Sequence, residues 1–249
     1  MVSLGSSLLF EKVHAIIFDL DDTLVNSQTA WHKGFDEVIV DLWEQNAKIS
    51  DFKSAEAIYE GPIRKGIENA QKLSSNSEWN DEYIDSAFKD FFGNYLGLTE
   101  TSCINLVTRY KKAWPKHLAL FADVRSVIEY CSDKIPLGLI TNGLTQDQNL
   151  KLNIEVGGKK LRDYFDVCLI SEEVGITKPN EEIFKIACSA LKIEPNKIMF
   201  VGDNPYDDVE GANNAGMISV WLNRPANRFS GPAEAKYEIQ SLEELLSVN

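Results

Sequence analysis

Five short segments of this chain are almost continuously apolar and rich in Ile and Val: Val13–Phe18, Ile135–Ile140, Phe165–Ile170, Lys197–Val201 and Met217–Trp221. A strand with one wet face alternates apolar and polar residues, so a strand that does not alternate is covered on both faces. A parallel sheet packed between two layers of helices meets that condition. The sequence between the later segments supplies the helices, with apolar residues at helical spacing over Asp123–Tyr130, Gln146–Val156, Glu181–Leu191 and Asp208–Ala215. Strands alternating with helices predict an α/β fold built on a doubly wound parallel, Rossmann-like sheet.

Between Leu24 and Trp114 the alternation lapses. Trp31, Phe35, Val38, Ile39, Leu42 and Trp43 recur at helical spacing, as do Trp79, Tyr83, Ala87, Phe88, Phe91, Phe92 and Tyr95, and then Cys103, Leu106, Val107 and Tyr110. Gly61-Pro62 is expected to end or kink a helix that begins near Ser54, because proline lacks the N–H and crowds the preceding turn. The simplest organisation is a core of residues 1–24 and 115–249 with an all-helical unit, residues 25–114, inserted after the first strand. The aromatic stripes are then expected to be the core of that bundle.

Charge narrows the partners. The 249 residues carry a formal net charge of -13, which repels nucleic acid and anionic membranes, so neither is expected as a partner. The same surface repels a small phosphate ester. A phosphate site here must therefore be made locally positive by a lysine, a metal or backbone N–H groups. Cys103, Cys131, Cys168 and Cys188 show no CxxC pair and no zinc spacing, and three of them sit in apolar runs as small core hydrophobes. That usage suits a reducing cytoplasm. The first residues, MVSLGSSLLFEK, lack a basic segment ahead of their short apolar stretch, and no apolar run approaches the ~20 residues that cross a bilayer. The cytoplasm is the expected location. Oligomeric state has no signature in the sequence.

The polar chemistry gathers at strand ends, where open α/β sheets bind their ligands. The first strand runs into Asp19-Leu20-Asp21-Asp22-Thr23, whose residues 19 and 21 point the same way in extended chain. An acidic turn capping the next helix is the alternative reading of that loop. The fourth strand ends Gly202-Asp203-Asn204-Pro205-Tyr206-Asp207-Asp208. If the two strands are neighbours, Asp19, Asp21, Asp203 and Asp208 offer hard oxygen ligands to a divalent ion, and Mg²⁺ suits a site that also holds phosphate. Asp207 and Asp208 also suit a helix N-terminus through its dipole. Thr141-Asn142-Gly143 closes the second strand with a hydroxyl, an amide and a glycine, a phosphate cradle or an everyday turn. After the third strand Lys178 precedes Pro179-Asn180, with Asn180 the expected N-cap of the next helix.

In order, FDLDDTL, ITNG, EEVGITKP and VGDNPYDDVEGANNAG resemble the four signature motifs of the haloacid dehalogenase-like superfamily, in its phosphatase branch. The helical insert resembles that superfamily's type-one cap. The resemblance implies a Mg²⁺-dependent phosphate monoester hydrolase acting through an aspartyl phosphate on a small-molecule ester. Asp19 would be the nucleophile and Asp21 the general acid and base. The metal would be held by Asp19, Asp21, Asp203 and Asp208, and the transferring group by Thr141, Asn142, Gly143 and Lys178. Motif four permits either Asp207 or Asp208 as its second acid, and the following Gly211-Ala212 favours Asp208. The substrate direction is a nucleotide or sugar phosphate, with Trp31, His32, Arg64 and Lys65 as candidate contacts of the insert. Competing activities are a 2-haloacid dehalogenase, which lacks the second carboxylate present here as Asp21, and a phosphomutase, whose motif four usually carries Glu-Asp in place of Gly202-Asp203. A non-catalytic phosphate-binding regulatory module is the alternative from another class.

Overall fold

The computed structural model describes residues 12–43, 48–73, 82–225, 229 and 234–246. Trp79 and the chain start therefore lie outside the described residues. The chain divides into two compact units, Met1–Asn26 with Leu120–Asn249, and Ser27–Ala119.

Among the described residues the first unit is built on a six-stranded sheet of β1 (Ala15–Phe18), β2 (Leu137–Thr141), β3 (Val167–Ile170), β4 (Ile198–Gly202), β5 (Ile218–Leu222) and β6 (Tyr237–Ile239). The strands lie in the order β3-β2-β1-β4-β5-β6, all parallel. The five apolar runs are the first five strands. Their burial explains the missing alternation, since Ile16, Ile17 and Phe18 of β1 are fully buried on both faces. The sixth strand escaped the pattern because it is a three-residue edge, half-exposed at Tyr237 and exposed at Glu238. Helices α1 (Val124–Ser132), α2 (Thr145–Leu152) and α3 (Glu181–Leu191) lie along the chain between strands. Asn180 caps α3 by accepting from the Glu182 N–H at 3.0 Å.

Two predicted helices differ from expectation. The segment Gln146–Val156 stops at Leu152, and Glu155–Val156 instead pairs antiparallel with Lys159–Lys160 across Gly157-Gly158. The segment Asp208–Ala215 begins as a wide helical turn, Pro205–Glu210, before a short helix over Gly211–Asn214. Asn204 caps that turn from outside the predicted element, accepting from the N–H groups of Tyr206 and Asp207.

A buried polar strap closes this unit. Asp123, just ahead of α1, accepts from Arg224 Nη1 at 2.9 Å and Nη2 at 3.0 Å, from Ser241 Oγ at 2.9 Å and from the Leu242 N–H at 2.9 Å. Arg224 also donates to the Thr23 carbonyl at 3.0 Å and lies 4.0 Å over the Phe121 ring. Burial alone would raise the Asp123 pKa, but the Arg224 fork and the Leu242 and Ser241 donors outweigh it and hold it below 3.8. A depressed folded value contributes stability above the unfolded pKa and loses it as pH falls through the folded one. We expect Asp123→Ala to cost about 1–3 kcal/mol at neutral pH by urea unfolding, because it removes the acceptor of the Arg224 fork, the Ser241 hydroxyl and the Leu242 N–H. The deficit against the parent chain should shrink once pH falls below 3.8; a deficit constant from neutral to acid would contradict the strap.

The second unit is helical throughout its described residues, over Ser27–Trp43, Ala55–Ile58, Arg64–Leu73, Glu82–Phe88 and Glu100–Ala113. Its core contains the predicted stripes: Phe35, Val38, Ile39, Phe88, Phe92, Leu106 and Tyr110 are buried together. Phe35 meets Tyr59, Phe88 and Tyr110 edge-on, and the Tyr59 and Tyr110 hydroxyls are 2.9 Å apart. Tyr95 departs from its stripe and is exposed. Gly61-Pro62 does not end the helix. The backbone widens into a π-helical turn over Tyr59–Ile63 and continues as Arg64–Leu73.

Candidate active site

The site follows from the strand order. Connections run to opposite sides of the sheet from β1, which has β2 on one side and β4 on the other, so the crevice beyond its carboxyl end is the switch point of the fold. The Asp19 N–H donates to the Val201 carbonyl at 2.9 Å, continuing the β1–β4 ladder and carrying Asp19 out beside Asp203. The loop after Asp19 turns tightly: the Asp22 N–H donates to the Val25 carbonyl at 2.7 Å, with Asp22 at φ 58°. Asp is among the few side chains that enter that left-handed region readily.

Lys178 joins the tips. Its Nζ donates to Asp19 Oδ1 and to Asp208 Oδ1, each at 2.6 Å, and all three side chains are buried. The lysine is aimed by its own backbone: Asn142 Oδ1 accepts from the Lys178 N–H at 2.9 Å while Asn142 Nδ2 donates to the Lys178 carbonyl at 3.0 Å. Asn142 thus spends its side chain on the lysine's main chain. Burial opposes the charge on Lys178, yet Asp19 and Asp208 together outweigh it and hold the ammonium above its ordinary range. Burial raises both the Asp19 and Asp208 carboxyls, against the pull of the same lysine.

Asp19, Asp203 and Asp208 each present a carboxylate oxygen within 4.8 Å of those of the other two. Three clustered buried carboxylates, two of them on one ammonium, are an all-oxygen donor set with negative charge to spare, which fits a hard divalent cation. Asp203 is held from behind, its carbonyl accepting from Trp221 Nε1 at 2.9 Å. Both Asp208 oxygens have protein donors, Lys178 on Oδ1 and the Asn204 N–H on Oδ2 at 3.0 Å. Asp207 instead takes the Asn204 amide at 2.9 Å, so Asp208 is the motif-four acid that converges with the others. Gly202 makes room for it: a Cβ there would lie 2.2 Å from Asp208 Oδ2.

Asp21 stands outside the trio. Its Oδ1 accepts from Lys151 Nζ at 2.5 Å. Thr141 is fully buried at the end of β2, its hydroxyl donating to Gln148 Oε1 at 3.2 Å. The Gly143 N–H donates to Ser171 Oγ at 3.0 Å, and its φ of 144° is a backbone conformation that residues with a side chain rarely adopt. Gln148 and Lys151 escaped the sequence reading because both look like solvated helix residues. The available signal was their spacing of three, which puts them on one face of α2 directly after the Thr141 loop.

In the helical unit, His32 Nε2 lies 2.5 Å from Glu60 Oε1, and Arg64 donates to the same carboxylate at 2.5 and 2.7 Å. Burial works against the charge on Glu60, but these donors hold its pKa below the usual carboxylate range. Lys65 borders a cavity of about 380 Å³ with Phe52, Phe91 and Tyr95, and Trp31 packs partly buried on the bundle core. No His joins the carboxylate trio among the described residues.

The family model for haloacid dehalogenase-like hydrolases matches residues 13–216. The chain belongs to that family. It is a hydrolase of the family, and a glyceraldehyde 3-phosphate phosphatase of Methanocaldococcus jannaschii is 28% identical over 95% of this chain and 96% of its own. The Escherichia coli pyrimidine 5′-nucleotidase YjjG is 39% identical over 110 residues, 44% of this chain and less than half of the nucleotidase, 47%. Among solved structures, the HAD-hydrolase YfnB of Bacillus subtilis bound to magnesium shares the fold with a TM-score of 0.74 at 23% identity, covering 94% of this chain and 97% of that one. No helix among the described residues is long and apolar enough to cross a membrane.

Proposed function

We propose that this hydrolase cleaves phosphate monoesters of small metabolites through a phosphorylated Asp19. The observation that carries the reading is Lys178 bridging Asp19 and Asp208 at 2.6 Å beside Asp203. A carboxylate nucleophile is weak in water; burial against a fixed ammonium aims it and neutralises charge as an anionic phosphoryl group approaches. An Asp19 oxygen attacks phosphorus and the ester P–O bond breaks. Asp21 gives its proton to the departing alkoxide, so an alcohol leaves. Water then attacks the aspartyl phosphate and yields a proton to Asp21, releasing orthophosphate and restoring both carboxyls. Thr141 and Lys178 steady the transferring group, and Asn142 acts by fixing Lys178.

Asp19 and Asp203 would hold Mg²⁺, with Asp208 anchoring the lysine beside it. The bound ion supplies Lewis-acid neutralisation of the phosphoryl oxygens. The magnesium in the Bacillus subtilis neighbour supports that choice. Chelation with EDTA should remove at least nine-tenths of phosphate release, and added Mg²⁺ should restore it; turnover undisturbed by chelation would contradict the assignment.

Asp21 argues against a dehalogenase, which has no alkoxide to protonate. Gly202 argues against a phosphomutase, because a Glu at 202 would collide with Asp208 where it now sits. The phosphatase and nucleotidase among the relatives favour a sugar phosphate or nucleotide as substrate, with residues 25–114 acting as a cap that selects the leaving group. A screen of such esters with Mg²⁺, beside 2-haloacids without it, tests the reading. Phosphate release supports it; halide release, or silence on both, overturns it.

A further inference from the structure

Lys151 lies on α2, a helix that carries no signature motif, yet it is as buried as Lys178, with 2% of its side chain exposed. An ammonium is not placed in such surroundings without a partner that needs it. Its partner is Asp21 Oδ1, at 2.5 Å, whose side chain is 18% exposed. Gln148, one turn earlier, accepts from Thr141 Oγ1 at 3.2 Å and sits 3.5 Å from Lys151 Nζ. A continuous polar chain, Thr141–Gln148–Lys151–Asp21, therefore runs from the end of β2 to the loop after β1.

We infer that Lys151 is a positioning residue, which holds the Asp21 carboxyl in the one orientation that can deliver a proton to the leaving oxygen and then take one from water. This deepens the reading of Asp21 as the general acid and base, and rests on it. The physical reason is an asymmetry between two oxygens. With an ammonium donating to Oδ1, a proton carried by Asp21 resides on Oδ2, and rotation of the carboxyl that would exchange the two breaks a buried charge-assisted hydrogen bond. Asp21 lies on a tight loop, and the ammonium fixes which of its two oxygens carries the ion pair. Proton transfer requires heavy atoms within about 3 Å of each other, and a displacement of 1 Å in such groups costs on the order of 100-fold.

The test compares Lys151→Met, Lys151→Arg and Asp21→Asn, each with Mg²⁺, on p-nitrophenyl phosphate and phenyl phosphate, two esters of similar shape whose leaving groups differ in need of a proton. kcat/KM reports steps through alcohol release, whereas kcat also includes attack by water. Lys151→Met should lower kcat/KM on phenyl phosphate at least tenfold but on p-nitrophenyl phosphate less than threefold. On p-nitrophenyl phosphate kcat should nevertheless fall at least tenfold, carrying KM down with it. Asp21→Asn should show the same split more strongly, adding Lys151→Met to it should deepen the split no further, and Lys151→Arg should recover activity to within about threefold of the parent. If Lys151→Met lowers kcat/KM equally on both esters while Asp21→Asn keeps the split, the lysine only supports the fold or binds substrate, and the inference fails alone. If Asp21→Asn shows no split, the proton-donor assignment falls and this inference falls with it. Should Lys151→Met not fold, Lys151→Arg decides in its place: a retained split-free profile near the parent's supports the inference, and a uniform loss on both esters overturns it.

Discussion

Asp19→Asn should abolish phosphate release while leaving the protein folded. The loss should be on the order of 10⁴-fold or more, the scale seen when a nucleophile is removed from a site whose other parts remain. Asparagine has the shape of aspartate and can still accept from Lys178, so the 2.6 Å contact survives in weakened form. What disappears is the negative oxygen that forms the bond to phosphorus. The variant relieves the like-charge crowding that Asp208 and Asp21 impose on Asp19 and removes a buried carboxylate, so its melting temperature should match or exceed that of the parent. Residual turnover within about tenfold of the parent would show that another group, or water directly, attacks the ester.

Lys178→Met carries the second large effect, on both activity and stability. Methionine fills much of the same volume, so packing is nearly conserved. The charge is not. Asp19 and Asp208 are left facing one another in a buried site with no counter-charge, and breaking a buried pair in this way costs about 3–5 kcal/mol. In a chain of this size that corresponds to a fall in Tm of roughly 6–20 °C. Activity should fall at least 1,000-fold, since the transferring phosphoryl loses its fixed cation and Asp19 its anchor. Part of the stability loss should return at acid pH. With the lysine gone, burial and mutual repulsion raise both carboxyls further, and a group whose folded pKa is raised gives its stability below the unfolded value and loses it as pH rises. The Tm gap to the parent should therefore be wider at pH 8 than at pH 5. An unchanged Tm at both would mean that the Lys178 bridge contributes nothing to the fold.

These two residues were legible in the sequence because the motif logic is local. Asp19 follows an unmistakable buried strand, and Lys178 precedes a proline and a capping asparagine that mark a helix start. Each clue sits within ten residues of the side chain it locates. The sheet was legible for the same reason, since burial on both faces prints itself directly as uninterrupted Ile and Val. Tyr237–Ile239 was not, because a short edge strand with an exposed Glu238 leaves no such print. Gln148 and Lys151 were hidden by a different cause. A lysine with an aspartate 130 positions away as partner reads as surface until the topology brings β1 and β2 side by side. The strap of Asp123, Arg224 and Ser241 is equally non-local, spanning 101 to 118 positions. At Pro62 the local rule marked the place of the disturbance but not its form: a widened turn accommodates the missing N–H without ending the helix.

The most direct measurement is whether phosphate becomes covalently attached to Asp19 during turnover. Asp21→Asn is the variant to use, because p-nitrophenolate leaves without needing a proton while hydrolysis of the intermediate still needs a base, so the intermediate should accumulate. After acid quench of that variant with phosphoryl-labelled p-nitrophenyl phosphate and Mg²⁺, the account predicts label approaching one equivalent, released by hydroxylamine and mapped to the peptide containing Asp19. Label on any other residue, or p-nitrophenol released over many turnovers with no label on the protein, would contradict it.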